Sequence, residues 1–250
     1  IALYPPPEVG GFTATNDKFN LMLKNMATQP NSVTAWAHDR PQSLLERGIV
    51  SFDRALRAIV PNSNPSTRPL PVQNNHLPKL SVQEARHVAG LMRVNHTGEV
   101  CAQGLYHGQA LTAKNDAVKQ AMQQSAQEEV DHLVWCETRL QELGSHPSVF
   151  TPVWYGLSFG IGALAGVISN EFSLGFVAET ETQVSEHLNE HIGSLPPQDD
   201  RSAQILAQMD VEELHHRDKA VAAGASNLAP PVRAGMRFLA NCMKKTAYYV

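Results

Sequence analysis

The residues whose spacing could do chemistry sit in two short segments, Glu129-Val130-Asp131-His132 and Glu213-Leu214-His215-His216. Each puts a glutamate three positions ahead of a histidine. On a helix, residues three apart share a face, so a carboxylate and an imidazole point the same way. Each pair also follows a further glutamate in a helical pattern upstream, Glu99 before the first and Glu181 before the second. Two helices giving one glutamate each, and two giving Glu-x-x-His, make up the ligand set of a dinuclear metal site inside a four-helix bundle. Four carboxylates in one apolar core would repel one another and be costly to desolvate. Two divalent cations cancel four such charges, and two neutral imidazoles complete the set. Oxygen-rich ligands with two nitrogens and no thiolate suit iron or manganese better than zinc.

Helix phase selects which acids face inward. Glu181 interrupts the apolar stripe of Leu174, Val177, Val184 and Leu188, whereas Glu179, Glu186 and Glu190 fall on a polar one. Glu99 lines up with Met92, Asn95, Ala102 and Tyr106. Glu129 and His132 share a face with Met122, Ala126, Cys136 and Leu140, which favours Glu129 over Glu128. Leu206 and Met209 favour Glu213 with His216 over the equally spaced Glu212 with His215. Asp131 and His187 are placed to hydrogen-bond ligands and fix imidazole tautomers; the alternatives are a solvated charge and an ordinary interface histidine. Tyr106, two turns beyond Glu99, offers a ring to stack on a substrate and a hydroxyl to donate, or else is a core aromatic with a satisfied hydroxyl.

The elements that must carry these residues are all helical, and no strand pattern is visible. Residues 1–44 are polar, contain Pro and Gly without a sustained period, and are expected to form a poorly ordered arm or a remnant ahead of a start at Met22 or Met26. Residues 45–80 hold an amphipathic helix, with Leu45, Ile49, Phe52, Leu56 and Ile59 at helical spacing, followed by a linker with five prolines over 61–79. The main domain, 81–250, opens on the capping box Ser81…Glu84. Its helices are expected over 81–113, 115–143, 153–193 with a break near Ser169–Ser173, 199–223, and a short C-terminal one over 231–248. Residues 147–170 carry no charge. They are read as a hairpin seated in one leaflet with Trp154 and Tyr155 as interfacial anchors, ahead of a true span or a buried core.

Composition excludes some classes. A net charge of −4 over 250 residues argues against a broad nucleic-acid-binding surface. Three scattered cysteines without Cys-x-x-Cys fit a reducing compartment and neither a disulfide framework nor a zinc site. Neither a secretory signal nor an arginine-rich transit peptide is visible.

The segment from Gly90 to Gln109 (GLMRVNHTGEVCAQGLYHGQ) makes the pattern specific. Together with Glu129-Val-Asp-His132, the Glu181–His187 region, the Glu213/His216 pair and Leu228-Ala-Pro230, it resembles the demethoxyubiquinone hydroxylase family over about residues 45–250. The resemblance implies a ferritin-like bundle with added N- and C-terminal helices. It implies a membrane-associated di-iron monooxygenase that uses O2 to hydroxylate the ring of a polyprenyl demethoxy-quinone in ubiquinone biosynthesis. Glu99, Glu129, His132, Glu181, Glu213 and His216 carry over as the ligands of two iron ions, with NADH as a candidate reductant. The expected place is the cytoplasmic face of a bacterial inner membrane, peripherally bound. Other proteins of the pathway and a second copy of the chain are candidate partners. Departing from the family pattern, the fourth motif reads Glu-Leu-His-His, which leaves two histidines to choose from. Rival readings are a ferritin-like iron store, a rubrerythrin-like peroxidase (whose Cys-x-x-Cys module is missing) and a non-enzymatic lipid-binding helical protein.

Overall fold

The structure, a computed structural model, describes residues 44–73 and 76–250. Apart from Leu44, the expected N-terminal arm lies outside the described residues. By its contacts Gly48–Val250 forms one compact unit. Among the described residues there are seven helices: α1 (Leu44–Ile59), α2 (Val82–Thr112), α3 (Asp116–Glu142), α4 (Thr151–Ile168), α5 (Asn170–Ser194), α6 (Asp200–Ala222) and α7 (Pro230–Tyr249).

The helices begin where side chains can satisfy free backbone N–H groups. Ser81 and Glu84 form the reciprocal capping box of α2. Asn115 accepts from the Ala117 amide at the start of α3, and Asp199 from the Ser202 amide at the start of α6. The long apolar region breaks at Ser169, within the expected stretch Ser169–Ser173: its extended backbone ends α4 and its hydroxyl accepts from the Phe172 amide to start α5. Gly144 and Gly224 follow α3 and α6 at φ 64° and 99°, a left-handed conformation that favours glycine.

Four of these helices make the bundle. At one end Met92 of α2, Cys136 and Leu140 of α3, Leu188 of α5 and Leu206 and Met209 of α6 pack together, all fully shielded. At the other end Ala102 and Tyr106, Met122 and Ala126, Leu174 and Val177, and Ala220 form a second apolar layer from the same four helices. On every one of them the sequence-predicted ligands lie between the two layers. This is the architecture of a ferritin-like bundle: apolar ends closing over a polar middle.

α2 is the central element, buried along most of its length. It packs on α3 and, on its other side, on α4. The α2–α4 contact is close because glycines meet backbone. A Cβ on Gly108 would strike the Phe159 carbonyl, and one on Gly162 the Leu105 carbonyl. Side chains add to it: Thr112 Oγ1 donates to the Ala163 carbonyl at 2.9 Å, and His107 Nδ1 lies 2.9 Å from the Tyr155 hydroxyl. That contact corrects the expected role of Tyr155. It is buried, not at an interface with lipid, because it faces α2; Trp154 likewise packs beside Val94 and Met243. The exposed face of α4 carries Val153, Leu157, Leu164, Val167 and Ile168 instead. By length and composition α4 could cross a membrane, with a mean hydropathy of 1.4 over its 18 residues. The apolar stripe of α1 is exposed too, at Leu45, Ile49, Phe52 and Leu56, while Ala58 on its opposite side is buried against Val100 and Leu133.

The α2–α4 contact generates a test in which the sign decides. Gly→Ala in a helix interior normally stabilises by about 0.5–1 kcal/mol. At Gly235 of α7 nothing stands within 4 Å of the new methyl, so Gly235→Ala should stabilise by that amount. Gly108→Ala should instead destabilise by about 1–3 kcal/mol through overpacking. Urea unfolding of both variants checks it; stabilisation by both would mean that α4 does not pack on α2 this closely.

Candidate metal centre

The polar middle of the bundle is built from donors on four different helices. Glu99 of α2, Glu129 and His132 of α3 and Glu213 of α6 are all buried and bring one atom each to within 4.8 Å of one another. Glu181 of α5 is 1% exposed and is crowded by the charges of Glu213 and Glu129. His216 of α6 completes the set, with Nδ1 2.8 Å from Glu129 Oε1 and 3.5 Å from Glu213 Oε2. The His132 Nδ1 lies 2.8 Å from Glu129, 3.1 Å from Glu213 and 3.7 Å from Glu99. Both imidazoles therefore turn Nδ1 toward the carboxylates.

The opposite nitrogens explain why. His132 Nε2 is 2.8 Å from a Glu212 oxygen, and His216 Nε2 is 2.8 Å from a Glu128 oxygen. A carboxylate accepting the Nε2–H fixes each ring and leaves Nδ1 as the nitrogen each would offer a metal. Helix phase had set Glu128 and Glu212 aside as the losing members of each pair. The signal that marks them was visible: both motifs read Glu-Glu-x-x-His, and the first glutamate of each doublet reaches across to the other motif's histidine.

Electrostatics register the crowding. Burial pushes the carboxyls of Glu99 and Glu181 well above the ordinary range, and the neighbouring Glu213 and Glu129 push them further. Burial works the same way on Glu129, but the adjacent charges of His132 and His216 outweigh it and hold its carboxyl well below the usual value. Burial disfavours the charged form of His132 and His216 too, yet Glu129 raises both well above the usual imidazole value.

The residues fit a cation pair. Among the described residues thirteen buried side-chain polar atoms lack a hydrogen-bond partner, and six of them belong to this cluster: Glu99 Oε2, both oxygens of Glu129, Glu181 Oε2, Glu213 Oε2 and His216 Nδ1. Leaving so many polar atoms unsatisfied in a core is costly, and metal ions satisfy all of them at once. A set of carboxylates with two imidazoles matches iron or manganese.

The remaining sequence-predicted residues fall elsewhere. The Tyr106 hydroxyl donates to Glu181 Oε1, and the side chain is fully buried. His187 is buried, and its Nδ1 meets the Gln183 carbonyl at 3.2 Å; no metal-ligand candidate is bonded to it. Burial, reinforced by His191 and Lys244, pulls its pKa down to about 3, so the ring is neutral. It lines an apolar cavity between α2, α4, α5 and α7, with Cys101, Leu105, Trp154, Phe176 and Met243 among its walls. Tyr106 is not among them. Asp131 stands one position off the inward stripe and bonds the proline-rich segment, accepting from Ser66, Thr67 and Arg68 and not from an imidazole.

A family model described as "Ubiquinone biosynthesis protein COQ7" matches residues 86–247. The chain is 72% identical over 211 residues to the 3-demethoxyubiquinol 3-hydroxylase of Psychrobacter arcticus, covering 84% of this chain and 99% of that protein. It is 70% identical over 208 residues to that of Psychrobacter sp. strain PRwf-1, covering 83% and 98%. To the protein of the same name from Acinetobacter baumannii it is 56% identical over 206 residues, covering 82% and 97%.

The raised carboxyls give a stability test. A carboxyl whose folded pKa is raised contributes stability below its unfolded value, and loses it as pH rises through the folded one. Glu99→Gln removes that penalty. Metal-free Glu99→Gln should therefore unfold at a higher temperature than metal-free wild type, with the gap widening from pH 5 to pH 8. Ferrous iron added anaerobically should raise the wild-type transition and not that of the variant. A variant less stable than wild type at every pH would show that protein partners alone satisfy Glu99.

Proposed function

The chain belongs to the COQ7 family of ubiquinone-biosynthesis proteins, and from that membership we propose that it hydroxylates the ring of a polyprenyl demethoxyquinol with O2. Glu99, Glu129, His132, Glu181, Glu213 and His216 hold the two iron ions the reaction needs. Bound there, ferrous ions supply open coordination positions and electrons for O2 activation. In the overall balance one oxygen atom enters a ring C–H bond and the other leaves as water, with two electrons and two protons consumed. A reduced nicotinamide is the proposed electron source. No dinucleotide-binding strand–turn–helix occurs among the described residues, so its contact with this chain would be of another kind.

The observation that carries the reading is the apolar cavity and its position. Ala102, one turn beyond Glu99, and Thr180, next to Glu181, are both part of its wall. These sequence neighbours of two ligand candidates support placing the quinol ring there, and the apolar lining suits an isoprenoid tail. His187 supplies a polar handle. Its Nδ1–H donates to the Gln183 carbonyl, so in the neutral ring Nε2 is the acceptor. An acceptor in this wall can take the hydroxyl hydrogen of a quinol and orient its ring. Tyr106, away from the cavity, keeps Glu181 aimed at the cluster through its hydroxyl.

A polyprenyl substrate dissolves in lipid, which gives the exposed apolar face of α4 a use. We place that face, with the stripe of α1, against the cytoplasmic leaflet, the chain bound peripherally. Packing of α4 on α2 favours this over a free span.

The test is turnover of a short-tailed demethoxyquinol under 18O2 by iron-loaded, reduced protein. A product carrying one 18O atom is expected. Repeated iron oxidation into a mineral with the quinol untouched would mean an iron store. His187→Ala should cut turnover by about 10- to 100-fold, roughly 1.4–2.7 kcal/mol in the transition state, with iron content unchanged. Undiminished turnover would leave His187 as cavity lining only.

A further inference from the structure

The proline-rich segment between α1 and α2 does more than connect them. Ser66, Thr67 and Arg68 lie against the outer side of the bundle, where Asp131 accepts four hydrogen bonds from them: Ser66 Oγ at 3.0 Å, the Thr67 amide at 2.7 Å, Thr67 Oγ1 at 2.9 Å and Arg68 Nε at 2.6 Å. The rest of the Arg68 guanidinium makes a two-pronged contact with Glu212, Nη1 to Oε1 at 2.7 Å and Nη2 to Oε2 at 2.8 Å. The same Oε2 is 2.8 Å from His132 Nε2. Arg68 also stacks 4.7 Å over Trp135, whose ring centre is 5.4 Å from that of His132.

We propose that Arg68 is a positioning residue for the metal centre: it locks the Glu212 carboxylate in the one orientation that holds His132 Nδ1 toward the cluster. Two features of the geometry support this. First, the planar guanidinium fork bonds both oxygens of Glu212 at once, whereas Gln208 at Oε1 and His132 at Oε2 each supply a single, separately movable contact. Second, Asp131 is itself pinned by the Ser66 and Thr67 contacts, so the guanidinium is fixed at both ends. As a half-exposed ion pair Arg68–Glu212 contributes little to stability; its consequence is orientation. His216 has a different arrangement on the other side, where Glu128 is met by Lys219, a single point charge with no fork.

The inference rests on the iron-site reading, and its test separates the two. Wild type, Arg68→Met, Arg68→Lys and Glu212→Gln are loaded with ferrous iron, and iron loss to a chelator is timed. The same proteins loaded with cobalt(II) are compared by visible spectrum, which reports the ligand geometry. Arg68→Met keeps an apolar stem over Trp135 and should lose iron about 10- to 100-fold faster with a changed cobalt spectrum, the range seen when a ligand's hydrogen-bond partner is removed. Arg68→Lys, which keeps the charge without the fork, should fall between. Glu212→Gln should match Arg68→Met, and combining the two should add nothing further. The metal-free proteins should unfold at similar temperatures. Wild-type rates and spectrum in Arg68→Met, or additive effects in the double variant, would overturn the proposal. A wild type that binds neither metal would instead overturn the iron site itself. If Arg68→Met fails to fold, Arg68→Lys and Glu212→Gln carry the same comparison.

Discussion

Electrostatic crowding in the middle of the bundle is the constraint on which the rest of the structure depends. Four glutamates from four helices converge in a core with two histidines, where protein groups alone leave several oxygens unsatisfied. An apolar layer above and another below exclude the water that would otherwise solvate them. The arrangement is unfavourable by itself and favourable around cations, so stability and chemistry are coupled at one place. It also explains why the pairs of hydrogen-bonding carboxylates, Glu128 and Glu212, stand outside the crowd: they act on the far nitrogens of the imidazoles, nearer solvent.

The bundle divides its surroundings by side. Toward α4 and α7, α2 and α5 open an apolar cavity. Toward the opposite side, α3 and α6 present charged side chains to the segment carrying Arg68. α2 can serve both because its glycines let α4 approach to backbone contact while its glutamate faces the bundle axis. On the proposed reading substrate entry and metal retention fall on different surfaces, and a change in one need not disturb the other.

Much of this was legible in the sequence because hydrophobic phase reports one quantity well: whether a position faces in or out. Glu181 stood out as a charge in an apolar stripe, and it is buried among charges. The helices, the break at Ser169 and the caps at Ser81 and Asn115 follow from local rules that need no tertiary information. What phase cannot report is what an outward or borderline side chain meets. Glu128 and Glu212 sit at the edge of the inward stripe and were passed over, although the doubled glutamate marked them. For Asp131 phase offers either an imidazole or solvent, but its partners lie more than sixty positions away in sequence, in a loop without periodicity. Tyr155 looked like a membrane anchor from its apolar neighbours; only the packing of α4 on α2 shows which side of that helix faces in.

The most direct measurement of the central claim is an anaerobic titration of metal-free protein with ferrous iron, followed by calorimetry and by the magnetic properties of the oxidised product. Two ions per chain are expected, with proton release as the raised carboxyls and imidazoles give up their protons, and with the two ferric ions magnetically coupled. One ion per chain, or two that behave independently, would contradict a shared carboxylate cluster.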